Sequence, residues 1–463
     1  MADSTPERSI SFDQGAPAFR RRASLCNIPQ NATKATGHKG HGGTMISNAL
    51  RGFAAASFLA LLPLAAGAQT ASPASEGFSA ERLKRIDQLI DRMMAAGEIT
   101  GAVTLVARDG KVVHLQAQGV MDADSKKPMQ KDSFFRMASM TKPVAATAML
   151  MLVEEGKIRL NDPVSKYLPS FRNFQVAVSR PAATGTPGAP NYYTVPAERE
   201  VTILDLLTHT SGVMSGPNGN AGGQASFRQR HEIGLKWIDN LGTESVLEFQ
   251  PGTRWAYSAV AGLDISNRIV EVVTGKTYNE FIQERLFRPL GMKETVYWPS
   301  AAQRERLVTA YTFANGKLTR NPDPDSMSSP VYFSGGGGLM STAESYARFA
   351  MMLANGGELN GARILSPATV KLMGSQIIPD TLPGRRPGEG YGLGVRHISD
   401  RAARRTLLSD GSFGWSGAYG THFWVDPSKK LVGILMVQTP SPGPPGEGRT
   451  GDFETVVMQA LME

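Results

Sequence analysis

The sequence predicts an α/β fold of the α+β kind: an antiparallel sheet built from both chain ends, helices flanking it, and a large, mostly helical region inserted between. Three observations carry this. A helix followed by a hairpin over residues 79–116 is mirrored by a hairpin followed by a helix over 421–462, which places both ends of the chain in one sheet. Between them, residues 140–155 are apolar nearly all round, as a buried central helix requires. The only cysteine, Cys26, lies in the leader, so the remaining chain has no disulfide and must rest on a sizeable hydrophobic core.

The leader reads as two pieces. Residues 1–44 are polar, contain Pro, Gly and Ser, lack apolar periodicity and are expected to be disordered; the expectation for them is a start codon assigned too early, with Met45 as the native start. From Met45 the chain carries Arg51, then a short apolar stretch from Phe53 to Ala66 and a small-residue site, Ala66-Gly67-Ala68. That pattern is the signature of a secretory signal peptide over 45–68, cut before Gln69. The segment is short for a bilayer and holds Pro63, so no stable membrane span is expected after cleavage. The expected location is periplasmic or secreted; an uncleaved leader implies the cytoplasm instead.

From Gln69 onward the elements follow in order. Ser79 caps a helix over 81–96 whose Leu83, Ile86, Leu89, Ile90, Met93 and Met94 share one face, with Gly97 ending it. Strands over 102–107 and 111–116 flank Asp109-Gly110, a strong hairpin signal. The buried helix over 140–155 stops at Gly156, and further helices are expected over 160–168, 202–208 and 259–274. Loops at 180–190 and 212–223, rich in Gly, Pro and Asn, read as excursions around a site. Strands over 421–425 and 431–437 flank Asp426-Pro427, and a helix over 453–462 closes the chain. One domain over 69–463 results, its sheet part near 79–137 and 390–463 and its helical part near 138–389.

The formal charge of +8 invites a nucleic-acid partner, but the first 68 residues hold seven of the Lys and Arg and three of the acids. The rest has 42 basic against 38 acidic residues and no basic run interleaved with aromatics, so nucleic-acid binding is not expected. No Gly-x-Ser-x-Gly elbow occurs, which argues against an α/β-hydrolase triad. The five histidines after the leader (His114, His209, His231, His397 and His422) lack His-Glu-x-x-His spacing, so no metal is expected. Gly275-Lys276-Thr277 and the run 335–338 lack the spacing of a phosphate loop.

Three clusters can carry chemistry. Ser139-Met140-Thr141-Lys142 opens the buried helix, and residues three apart on a helix share a face, so hydroxyl and amine can meet. Ser139 sits at the positive end of the helix dipole, and its N–H is available to an oxyanion. A desolvated lysine can accept a proton near neutral pH. Tyr257, at the mouth of the next long helix, can act as a base beside a cation such as Lys142, the two titrating as a pair. Trp415-Ser416-Gly417 precedes a predicted strand; glycine there lets backbone approach a substrate, and the Ala418 N–H can complete an oxyanion hole. Taken singly, these also read as a capping serine, a core tyrosine and a glycine-rich turn.

Together the three clusters resemble the serine β-lactamase and penicillin-recognising hydrolase superfamily. The likeness runs from about Phe134 to Pro427 and includes Leu160-Asn161-Asp162-Pro163, Leu206-Leu207-Thr208-His209-Thr210-Ser211-Gly212, Pro289-Leu290-Gly291-Met292 and the stretch 335–342. The resemblance implies that Ser139 is the nucleophile and Lys142 its helper, that Tyr257-Ser258-Ala259 stands for the family's Tyr-x-Asn, and that Trp415-Ser416-Gly417 stands for its Lys-Thr-Gly. It departs at two positions. Ala259 replaces the Asn that holds a β-lactam or peptide amide, and Trp415 replaces a cation that meets the substrate carboxylate. A Trp-x-Gly in that place is similar to the family VIII carboxylesterases. The expectation is therefore a serine hydrolase of short-chain acyl esters without a cofactor, acting on a small-molecule ester or amide through a Ser139 acyl-enzyme, with Trp415, Ser416, Gly417 and Ala259 shaping the pocket. The rivals are a β-lactamase, D-amino-acid-specific peptidase or amide hydrolase using the same residues, and a non-catalytic ligand-binding relative. Oligomeric state is not legible.

Overall fold

The computed structural model describes residues 69–180, 191–441 and 443–462. The expected disordered extension, the signal peptide and nearly all of the loop at 180–190 lie outside the described residues.

The N-terminal pattern folds as read. Helix α1, Ala80–Ala95, begins where Ser79 Oγ accepts the Arg82 N–H, and buries Leu83, Ile86, Leu89, Ile90 and Met93. Strands β2, Gly101–Arg108, and β3, Lys111–Gly119, meet at Asp109 and Gly110, both at positive φ, as a two-residue turn between twisted strands demands. A short strand β1, Gln69–Thr70, runs parallel to β3 at the edge of the sheet.

The main sheet has eight strands, in the order β1-β3-β2-β8-β7-β6-β5-β4. Here β4 is Glu389–Tyr391, β5 Arg396–Ile398, β6 Phe413–Ser416, β7 His422–Asp426 and β8 Leu431–Met436. The two chain ends join where β8 pairs antiparallel with β2, Ile434 opposite Leu105. Strand β2 shows no polar alternation because both faces are covered. Val103 and Leu105 join the core shared with the helical region, whereas Ala102 and Val106 pack with α1 and the closing helix α6, Gly448–Met458.

The closing helix starts five residues earlier than expected and stops at Met458. Beyond it the chain leaves the helix because Ala460 O accepts the Ser79 N–H and Leu461 bridges Phe78. The helix expected over 160–168 is also corrected. Pro163 bridges Thr202, and among these residues only Val164–Lys166 makes a single 3-10 turn.

The remaining helices position the site. Helix α2, Thr141–Glu154, is buried along nearly its whole length and packs against α4, Ala261–Thr274. Helix α3, Ile203–Thr208, is opened by a Thr202–Asp205 capping box, and α5, Ala343–Ala354, lies on β2, β7 and β8. In the loop over 212–223, Gly219 N donates to the Glu248 carboxylate. Among the described residues, no helix is long and apolar enough to cross a membrane.

Candidate active site

Ser139 lies in a tight turn, Ala138–Met140, immediately before α2. Ala138 is held at φ 45°, a region unfavourable to residues with a side chain, so the turn is strained where Ser139 is presented. Lys142 follows three residues later in the first turn of α2 and is fully buried. Its Nζ lies 3.3 Å from Ser139 Oγ and donates to Ala259 O at 2.6 Å and Gly336 O at 2.7 Å. Two of its hydrogens are thus committed to carbonyls, which can only accept. The remaining tetrahedral direction faces Ser139, with an N–H if the nitrogen is an ammonium and a lone pair if it is an amine.

Tyr257 Oη lies 2.7 Å from the same serine oxygen, and Lys142 Nζ stands 4.8 Å from the centre of its ring. Residues at positions 139, 142 and 257 therefore converge on one oxygen atom. The backbone holding Tyr257 is fixed from beneath by His209, which is buried and at positive φ. His209 Nδ1 accepts the Ser258 N–H at 3.2 Å, and its ring meets Tyr257 edge to face at 4.8 Å. Burial and the adjacent Lys142 hold this imidazole well below its ordinary pKa, so it stays neutral.

A second support was not visible in the sequence. Asp264 on α4 is completely buried and accepts from Tyr332 Oη at 2.5 Å, Ser334 Oγ at 2.7 Å, Gly335 N at 2.8 Å and Gly336 N at 3.1 Å. Burial pushes its carboxyl upward, against those four hydrogen bonds. The carboxylate thereby sets the loop whose Gly336 carbonyl receives Lys142. A side chain at position 336 would place Cβ 2.6 Å from Val260 Cα, which explains the glycine there. An aspartate on a helix, 122 residues from the lysine it serves, gives no local signal.

Trp415 and Ser416 end strand β6, and Gly417 and Ala418 form the turn into β7. A Cβ on Gly417 would lie 2.3 Å from Met137 O, so only glycine lets this turn reach the segment carrying Ser139. The Ala418 N–H has no hydrogen-bond partner among the described residues. Trp415 is nearly buried, tilted over Tyr257 at 5.5 Å and edge-on to Tyr391 at 5.3 Å.

Ser139, Tyr257, Trp415, Ser416, Gly417 and Ala418 line one cavity of about 350 Å³, closed on other sides by Trp255 and by Gly443, Pro444 and Pro445. No charged side chain is among its described lining residues. Ala259 is the exception to the expected pocket. It is exposed and outside the lining, and its contribution is the carbonyl that binds Lys142.

A serine next to the strained Ala138, touched by a buried lysine and a tyrosine at the mouth of a helix, is an arrangement that serine-hydrolase chemistry could use. The chain belongs to the beta-lactamase family, whose model matches residues 86–455. It is 36% identical to Protein Rv1367c of Mycobacterium tuberculosis over 74% of this chain and 86% of that one. It is 30% identical to Esterase EstB of Burkholderia gladioli over 78% of this chain and 92% of the esterase. In fold it matches EstCE1, described as a hydrolase with promiscuous acyltransferase activity, with a TM-score of 0.67, 24% identity and coverage of 83% and 99% of the two chains. Esterases and D-alanyl-D-alanine peptidases both occur among its relatives. The protein is thus a serine hydrolase of this family.

Proposed function

We propose that this hydrolase is a carboxylesterase that cleaves short acyl esters through an acyl-enzyme on Ser139. One observation carries the choice of substrate: the cavity beside Ser139 has no charged lining side chain among the described residues, and Trp415 stands on the wall where a carboxylate-binding cation would serve a β-lactam or peptide. A neutral ester needs no such cation. A cavity of about 350 Å³ walled by aromatic rings also favours a small acyl or alcohol group.

Ser139 gives its proton to the Lys142/Tyr257 pair as Oγ attacks the ester carbonyl. The N–H groups of Ser139 and Ala418 are the donors assigned to the oxyanion. The pair returns the proton to the departing alkoxide, leaving the acyl group on Oγ. Water then attacks by the same route in reverse and frees the acid.

Turnover of p-nitrophenyl butyrate should exceed that of a chromogenic cephalosporin, and a fluorophosphonate should label the wild type but not Ser139→Ala. Faster cephalosporin turnover would defeat the esterase reading in favour of a β-lactamase, while an unlabelled wild type would favour a non-catalytic ligand-binding relative.

A further inference from the structure

Ser416 lines the cavity and is tied to a buried polar chain. Its Oγ lies 2.8 Å from His422 Nδ1, the residue directly opposite it in the β6–β7 pairing. His422 is wholly buried, and its Nε2 lies 3.1 Å from Glu454 Oε1 on α6. The same carboxylate oxygen accepts from Arg396 Nη2 at 2.5 Å. Ser416 belongs to the Trp415-Ser416-Gly417 motif, but neither the lysine–tyrosine machinery nor any motif in the sequence uses His422, Glu454 or Arg396.

Proton positions along the chain follow from chemistry. A carboxylate only accepts, so Nε2 of His422 carries the hydrogen. Arg396 and Glu454 already cancel in charge. The other nearby acids, Glu389 and Glu447, are paired with Arg386 and Arg404. A second proton on His422 would leave an uncompensated charge in a fully buried place, which costs several kcal/mol on the order of a buried unpaired ion. Nδ1 is therefore a lone pair, and the Ser416 O–H must donate to it. Burial lowers the pKa of His422 in the same direction.

We infer that Ser416 is held as a pure hydrogen-bond acceptor toward the cavity by the chain His422–Glu454–Arg396, and that it selects ester substrates bearing a hydroxyl or amide N–H at the position it meets. The inference rests on the esterase reading and deepens it. A hydroxyl on the substrate finds a waiting lone pair, whereas a keto group or carboxylate meets lone pair against lone pair. His422 is in this account a positioning residue acting through Ser416.

The test uses p-nitrophenyl esters of 2-, 3- and 4-hydroxy acids, each matched to its keto and methyl counterparts. At one of the three positions kcat/KM for the hydroxy ester should exceed that for the keto ester by about tenfold. Ser416→Ala should bring that ratio to within about twofold of one, and Ser416→Thr should keep it. His422→Phe frees the Ser416 O–H to turn into the cavity and should invert the preference, which a merely structural role of His422 would not do. Should His422→Phe fail to fold, the two Ser416 variants decide the matter. A wild-type ratio near one at every position overturns the inference, and so does an unchanged ratio in Ser416→Ala. It is equally overturned if a fluorophosphonate adduct persists in Ser139→Ala and disappears on adding Ser416→Ala, because Ser416 is then a nucleophile. Turnover without discrimination leaves the esterase reading standing. No turnover of any ester removes both.

Discussion

The phenol of Tyr257 reaches Ser139 Oγ at 2.7 Å, closer than the Lys142 amine at 3.3 Å, although 118 residues separate tyrosine and serine. Proton transfer from the serine is therefore expected to run through the tyrosine oxygen. Tyr257→Phe removes one oxygen atom on the cavity wall and should lower kcat for p-nitrophenyl butyrate by about 10²- to 10⁴-fold. The melting temperature should stay within a degree or two of wild type, as expected for loss of a hydroxyl that lines a cavity. Retention of more than a tenth of wild-type kcat would show that Lys142 alone suffices.

Lys142 should separate activity from stability in a different manner. Lys142→Met strands the carbonyls of Ala259 and Gly336, costing about 1–3 kcal/mol each. It also removes a fully buried amino group, whose own burial costs about 1–3 kcal/mol as a neutral amine and several kcal/mol as an ion. The two effects nearly offset, so thermal unfolding should shift little while esterase activity falls at least about a hundredfold. A collapse in stability would assign the lysine a mainly structural part.

Trp415 is one uncharged wall of the cavity. Trp415→Lys introduces a cation on a wall that otherwise carries none among its described lining residues. Relative to p-nitrophenyl butyrate, turnover of a chromogenic cephalosporin, which bears a carboxylate, should rise by about tenfold or more. An unchanged ratio would mean that the missing cation does not set the substrate class. Gly417→Ala, by contrast, should impair both substrates equally, because its Cβ would collide with Met137 O and displace Ser139.

Acid should destabilise this protein over two pH ranges. Burial depresses His114 from 6.5 to about 4 and also lowers His209 and His422. Their unfolded forms take up protons first, so stability is full above pH 6.5 and falls as pH drops from there towards 4. His114 alone accounts for about 3 kcal/mol of that loss. Glu454 is pulled from 4.5 down to about 2, chiefly by Arg396 against the opposing effect of burial. Its contribution is present above pH 4.5 and disappears as pH falls through 2. Melting curves between pH 8 and pH 2 should show both segments, and His114→Gln should flatten the upper one. A flat profile between pH 6.5 and 4 would contradict the burial of neutral histidines.

The sequence by itself determined the terminal elements and the Ser139–Lys142 pair, because both are written in short-range pattern. Asp109-Gly110 sets a hairpin wherever it is flanked by β-branched runs, and a Ser-x-x-Lys entering an apolar helix must place hydroxyl and amine on one side. Even the electrical character of the pocket was legible in part, since Trp415 carries no charge in any fold. Tertiary structure alone decided what these groups touch. Asp264 supports the carbonyl that binds Lys142, His422 and Glu454 orient Ser416, and Ala259 turns away from the pocket its motif implied. Each of these depends on backbone segments far apart in the chain meeting at hydrogen-bonding distance, and periodicity and propensity encode nothing about such meetings. The helix expected over 160–168 failed for the same reason: its Pro163 bridges Thr202, and that pairing exists only once the two segments are folded together.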